Sequence, residues 1–319
     1  MSYSVSLVIP LYNVEKYVRK SLVSALEQTF KSIEYILVDD CSTDGTMQIV
    51  KSLLMNHPRF MDVKILSHDI NAGLSAARNT GLLHAQGKYV FFMDSDDEIT
   101  IDCIEKHYNV IEASGAEFTV ADLRLEGTKS IHVRPILGEV EKILPILSYL
   151  KREWNTSACN KLYKKRFLTE NRLLFKNGLL HEDILWSYEV ANKAKKISLV
   201  TKATYIYKVR KNSITTNKNN SRKINSLLFI LDTISLEWKQ GSISSKYENE
   251  YYQYIDFWCL NTALLLLNFD GSYSESSKYY SRIIEIAKSK KRCFFIFRCP
   301  FWLFYLFVTP IYLMYKRIR

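Results

Sequence analysis

Short apolar runs alternate with amphipathic stretches through the first 115 residues, and this alternation restricts what the chain can become. Val5–Pro10 (VSLVIP) is an apolar, β-branched run closed by proline. It is followed by Val14–Thr29, where Tyr17, Val18, Leu22, Ala25 and Leu26 recur at helical spacing. Ile33–Val38, Val63–Ser67 and Lys88–Met93 repeat the first pattern; Thr46–Met55, Ala72–Ala85 and Ile101–Ser114 repeat the second. Alternation of this kind predicts the α/β class, a mostly parallel sheet with helices on both faces. Ligands of such sheets bind beyond the carboxyl ends of the strands. Polar residues gather there: Tyr12 and Asn13 after the first strand, Asp39 and Asp40 after the second, and Asp94-Ser95-Asp96-Asp97 after the fourth.

The remainder of the chain reads differently. Arg222–Glu237, Tyr247–Phe269 and Ser274–Lys288 are long, helical in period and rich in Tyr and Leu. The Asn- and Lys-rich stretch Lys211–Asn220 reads as a connector. The expected organisation is an α/β domain over 1–214, a helical subdomain over 215–289 and a tail over 290–319. The net charge is +11, and seven unopposed basic residues, Lys290, Lys291, Arg292, Arg298, Lys316, Arg317 and Arg319, lie in the last thirty positions. A nucleic-acid binder would spread such charge over a groove-facing surface; here it flanks an apolar aromatic run, which predicts a membrane-surface partner and no nucleic acid. That run, Cys299–Tyr315, would make a helix of roughly 25 Å, short of the ~30 Å hydrocarbon core, and Pro300 and Pro310 interrupt it. Basic residues at both ends disfavour a span. An in-plane or shallow re-entrant anchor is expected, with a single span as the alternative. The first residues carry no basic n-region or cleavage site, and the six cysteines form no C-x-x-C, so the expected location is the cytoplasmic face of a membrane.

Asp94 and Asp96, at i and i+2 where a strand ends, can share Mg²⁺ or Mn²⁺, which prefer oxygen ligands and complete their shell with phosphates and water. Asp97 reads as the cap of the next helix. Asp39 and Asp40, adjacent acids directly after a buried strand, repel each other unless they face donors such as a base N–H or ribose hydroxyls. Ser42 to Thr46 is turn and helix-start chemistry. In Asn71–Gly81 the small residues suit a helix packed hard on the sheet, with Arg78 and Asn79 pinning a loop rather than reaching a nucleotide. His181-Glu182 lacks the second histidine of a zinc helix, because position 185 is Leu.

Ile9-Pro10-Leu11-Tyr12-Asn13, then Val38 to Thr46, then Asn71 to Gly81, then Asp94 to Asp97 together resemble, in order and spacing, the family 2 glycosyltransferases. The resemblance is firm over about the first 115 residues. It continues loosely through Asn160-Lys161-Leu162-Tyr163, His181-Glu182-Asp183 and the stretch Tyr205–Ile214. Cys41 departs from the pattern, standing in the turn where that family has glycine. The resemblance implies a GT-A fold, a nucleotide-sugar donor (by the family's habit a UDP-sugar) and inversion at the anomeric carbon. It further implies that Pro10, Tyr12, Asn13, Asp39, Asp40 and Asn71 line the donor site, with Asp40 on the base. Asp94 and Asp96 would hold the metal and diphosphate. Glu182-Asp183 would supply the catalytic base, Asp183, with Glu182 orienting the acceptor. Lys161 and Arg210 are read equally as diphosphate or acceptor ligands and as structural residues. An inverting transfer needs a base opposite the leaving group, and a carboxylate both takes the proton and favours oxocarbenium-like charge. The expected acceptor is a glycan, carried on lipid as in surface-polysaccharide assembly. The alternatives are a nucleotidyltransferase, which would release pyrophosphate, and a non-catalytic nucleotide-sugar-binding module, against which the intact Glu182-Asp183 pair argues.

Overall fold

A computed structural model of the chain describes residues 3–127, 143–209, 220–288, 300–304, 306 and 308. The chain forms two compact units, residues 1–210 and 211–319.

In the first unit, eight strands form one sheet in the order β3-β2-β1-β4-β7-β6-β8-β5. Its centre is β1 (Val5–Leu11), β2 (Ile33–Asp39) and β4 (Tyr89–Phe92), every residue of which is buried. Strands covered on both faces are continuous apolar runs rather than alternating ones, which is why they stand out in the sequence. β1 pairs in parallel with both neighbours, and β3 (Val63–Ser67) extends the parallel set to the edge. Pro10 is tolerated in this central strand for a local reason. The Val8 carbonyl accepts from Met93 N on the β4 side, and Pro10, two residues on, faces the same way. The β1–β4 pairing ends at Val8 and Phe92, so proline forfeits no ladder bond there.

The second half of the sheet adds antiparallel pairs to the mostly parallel arrangement expected. β7 (Leu162–Lys164) runs antiparallel to β4 and to β6 (Phe118–Glu126), and β5 (Glu98–Ile99) antiparallel to β8 (Ile197–Lys208). β6 and β8 are parallel, with a register shift between Ala121 and Leu123. The sheet is therefore mixed.

Helices α1 (Val18–Leu26), α2 (Thr46–Leu54), α3 (Leu74–His84) and α4 (Cys103–Ser114) connect the first strands. α5 (Pro145–Leu150), α6 (Lys165–Glu170) and α7 (Glu182–Lys193) follow. α3 lies hard on the sheet, since a Cβ at Gly81 would stand 2.2 Å from Val8 Cγ1. α4 ends on Gly115, whose φ of 68° is the left-handed cap that glycine adopts without steric cost.

The second unit contains α8 (Asn220–Lys239), α9 (Glu248–Leu265) and α10 (Tyr273–Lys288). Ile224, Leu231, Tyr254, Cys259, Tyr280 and Ile283 are buried in it. Phe301 and Phe304 are buried too, with their rings 5.2 and 4.9 Å from Tyr280, while Trp302 and Leu306 are exposed. Thus some of the aromatics counted with the tail belong to the packing of the helical unit. Most of the tail and of the 211–220 connector, and Arg210, lie outside the described residues. Among the described residues, no helix is long and apolar enough to cross a membrane.

Candidate active site

The parallel strands β1, β2 and β4 deliver their polar ends to one edge of the sheet. After β1, Asn13 is left-handed (φ 49°), and its Oδ1 accepts from Thr43 N at 2.8 Å, tying the first loop to the second. Tyr12 and Asn71 are exposed, whereas Pro10 is buried inside β1. Cys41 is left-handed at φ 62°, a conformation that glycine adopts without steric cost.

The two adjacent acids after β2 have separate fates. Asp39 Oδ1 accepts from Ser42 N at 3.0 Å and shapes the turn. Asp40 is buried with both oxygens engaged. Oδ1 meets Ala72 N at 2.8 Å and His68 Nδ1 at 2.7 Å, and Oδ2 accepts from Gly73 N at 2.7 Å. A buried carboxylate needs such donors. Asp40 finds them in the segment entering α3, so its donors are supplied by the protein itself.

Asp94 and Asp97 are locked to β8 by Tyr205. The tyrosine hydroxyl accepts from Asp94 N at 3.1 Å and donates to Asp97 Oδ2 at 2.9 Å. Lys208 N donates to Asp97 Oδ1 at 2.9 Å. Asp97 is therefore not the cap of α4: strand β8 reaches it first. Burial, and then the charge of Asp94, push its pKa up to about 7. Oxygens of Asp94, Asp96 and Asp97 lie within 4.8 Å of one another. This all-oxygen set fits a hard divalent cation such as Mg²⁺ or Mn²⁺. Since both oxygens of Asp97 are taken, Asp94 and Asp96 are the residues that suit it.

Facing them, α7 opens with Glu182 and Asp183 in its first turn, where the helix dipole favours carboxylates. Between the two acidic groups sits Arg78 of α3. Nη2 donates to Asp94 Oδ1 at 2.8 Å, and Nη1 donates to Glu182 Oε1 at 2.7 Å and Asp183 Oδ1 at 2.9 Å. Burial raises the pKa of both Glu182 and Asp183, and Arg78 pulls each the other way; for Glu182 the nearby Asp183 adds to the rise. A carboxylate with raised proton affinity is better matched to general-base work near neutral pH. Asp183 keeps a quarter of its side chain exposed, against about a tenth for Glu182, so it is the more accessible to an acceptor.

Lys161 serves a loop. Its buried ammonium donates to the carbonyls of Asn155, at 2.7 Å, and Ser157, and lies over the Trp154 ring. Tyr205 and the bridging role of Arg78 were not foreseen from sequence. Tyr205 opens a stretch that the resemblance reaches only loosely, and nothing in its local sequence reports a bond to Asp94 or Asp97.

A mixed α/β sheet with a parallel β3-β2-β1-β4 half and covering helices is the architecture of the GT-A fold. Residues 6–172 match the model of glycosyl transferase family 2, and the chain belongs to that family. It is 36% identical over 225 residues to the glycosyltransferase GlyA of Streptococcus pneumoniae, an alignment covering 66% of this chain and 31% of that protein. The chain thus spans about a third of that relative's length. Its structure is similar to S. aureus TarS 1-349 in complex with UDP-GlcNAc, with a TM-score of 0.62, 20% identity and coverage of 90% and 91% of the two chains. It is similar also to mannosyltransferase PcManGT from Pyrobaculum calidifontis in complex with GDP-Man and Mn²⁺, with a TM-score of 0.61, 16% identity and coverage of 98% and 81%. At such identities these likenesses show the fold, which is the GT-A type expected from the sequence.

Proposed function

We propose that this chain transfers a sugar, with inversion, from a UDP-sugar to a glycan acceptor carried on a membrane lipid, in the assembly of a surface polysaccharide. The observation that carries this reading is the meeting of Asp94 with Glu182 and Asp183 on a single guanidinium, which puts a donor-side acid and an acceptor-side acid at one place. Asp94 and Asp96 hold Mg²⁺ or Mn²⁺, which when bound neutralises the departing diphosphate. Asp183 takes the proton of the acceptor hydroxyl, and Glu182 orients the acceptor. Asp39 faces the nucleoside, because Asp40 spends its oxygens on His68, Ala72 and Gly73. Tyr12, exposed at the mouth of β1, offers a ring for the base to stack on, and Pro10, Asn13 and Asn71 shape the loops around it. TarS and PcManGT, the one bound to UDP-GlcNAc and the other to GDP-Man with Mn²⁺, support a nucleotide-sugar donor and a metal. The basic, aromatic end of the chain supports a membrane-borne acceptor on the cytoplasmic side.

Screening nucleotide-sugars for metal-dependent release of UDP, with and without lipid-linked acceptors, tests the reading. Release of pyrophosphate instead would identify a nucleotidyltransferase. Donor binding without turnover would identify a binding module.

A further inference from the structure

Arg78 stands in a helix of mostly small residues, and 1% of its side chain reaches solvent. Burying a guanidinium is costly unless surrounding charges and acceptors match it. Arg78 engages three carboxylates, from the end of β4 and the start of α7, and so ties two separate elements together. Its guanidinium also lies 5.2 Å from the centre of the Phe175 ring, which stacks on Trp186 of α7 at 4.0 Å. The next residue, Asn79, holds the backbone of the same Phe175 through two hydrogen bonds. Phe175 is thus met at its ring and at its main chain by consecutive residues of α3.

The planar fork of arginine has a consequence that charge alone lacks. Its two terminal nitrogens cannot move independently, so groups bound to them keep a set spacing and orientation. Nη2 is bound to Asp94, and Nη1 to Glu182 and Asp183. We propose that Arg78 is the positioning residue of the transfer step, holding the donor-side carboxylate Asp94 and the acceptor-side base Asp183 in one rigid frame so that the acceptor oxygen is aligned with the bond that breaks. This inference rests on the glycosyltransferase reading above. Lysine at this position would keep the charge but, as a point donor, cannot hold both sides in register.

The test uses the full chain, a nucleotide-sugar that the wild type turns over, and the variants Arg78→Lys and Arg78→Ala. Arg78→Lys should fold, as judged by its circular dichroism and melting temperature, and should bind UDP with Mn²⁺ within about tenfold of wild type. Its kcat should fall about 100-fold, the cost of misplacing reacting groups by about an ångström. In Arg78→Ala, sub-denaturing guanidinium chloride should restore about tenfold of the lost kcat by re-forming the fork, while sodium chloride and urea should not. A folded Arg78→Lys with kcat within about threefold of wild type overturns the proposal. So does an Arg78→Ala variant whose melting temperature rises with guanidinium while its turnover does not. If Arg78→Lys does not fold, the guanidinium arm decides alone. A wild type that releases no nucleoside diphosphate from any donor overturns the glycosyltransferase reading and this inference with it. Failure confined to the Arg78 variants leaves that reading standing.

Discussion

Asn79 and Phe175 are joined by two reciprocal hydrogen bonds of 2.8 Å: the side-chain Nδ2 donates to the Phe175 carbonyl, and Oδ1 accepts from its amide. The side chain imitates a strand partner for a segment that pairs with none, and it fixes the chain that leads into α7. Asn79→Ala removes both bonds and leaves a half-buried amide and carbonyl unpaired. It should cost about 2 kcal/mol in urea unfolding. A loss below about 0.5 kcal/mol would mean that water replaces the amide at no cost.

Asp183→Asn keeps the shape of the side chain but cannot take a proton. Turnover should fall by orders of magnitude while UDP affinity stays near that of wild type. Transfer at close to the normal rate would remove Asp183 as the base and leave Glu182 as the candidate.

Asp96→Ala leaves Asp94 as the remaining acid suited to the cation. Since a single carboxylate holds Mg²⁺ or Mn²⁺ poorly, Mn²⁺-dependent UDP binding should disappear in calorimetry. Unchanged affinity together with unchanged activity would reject the metal assignment.

His107 should make the protein sensitive to acid. It is fully buried among Thr119, Thr204 and Asn160, and burial pushes its pKa down from 6.5 to about 3. The unfolded chain takes up this proton near pH 6.5 and the folded chain only near 3, so the stability it contributes is present above 6.5 and lost as the pH falls through that window. Between pH 6.5 and about 5 the wild type should lose about 2 kcal/mol more than His107→Gln. Parallel curves for the two proteins would show that the imidazole does not titrate in unfolding.

A chain ended after Val308 keeps Phe301 and Phe304 against Tyr280, so its helical unit should melt as in the full chain. Without Lys316, Arg317 and Arg319 it should bind vesicles containing anionic lipid more weakly than the full chain, and full-length protein should be only partly released from them by high salt. Each basic residue near the surface contributes about 1 kcal/mol that salt screens, while apolar burial is largely insensitive to salt. Complete release by salt would reject an inserted tail.

The fold was most legible where structure is local or fully buried. The runs read as strands lie within a residue or so of β1, β2, β3 and β4; for β1, β2 and β4 the reason is that a strand covered on both faces is apolar along most of its length, whereas β3 is a half-exposed edge strand found from its short local run. Helix starts were less exact. α3 begins at Leu74 rather than Ala72, since the amides of Ala72 and Gly73 are spent on Asp40 and Gly73 has φ 91°. The antiparallel half of the sheet left little trace, because β5 and β7 span two and three residues and pair with distant partners. That acids gather at the ends of β2 and β4 was legible from position alone. The role of Arg78 was not: its partners are 16, 104 and 105 residues away, and no periodicity reports such distances. Asp40 looked like a ligand because the donors that satisfy it, in His68, Ala72 and Gly73, come from a later loop.

The guanidinium shared by three carboxylates also bears on how such a site can be altered. Changing one acid gives the buried cation, whose Nε already lacks a partner, a further idle donor, and changing the arginine leaves three carboxyl groups facing one another without their shared counter-charge. The four positions therefore form one inheritable unit, in which single replacements are stranded and only matched combinations are passable. A library that varies them one at a time should return clones of reduced turnover at each. Selection for a new donor should begin outside the unit, at exposed Tyr12 and Asn71, where a substitution has no buried charge to answer for.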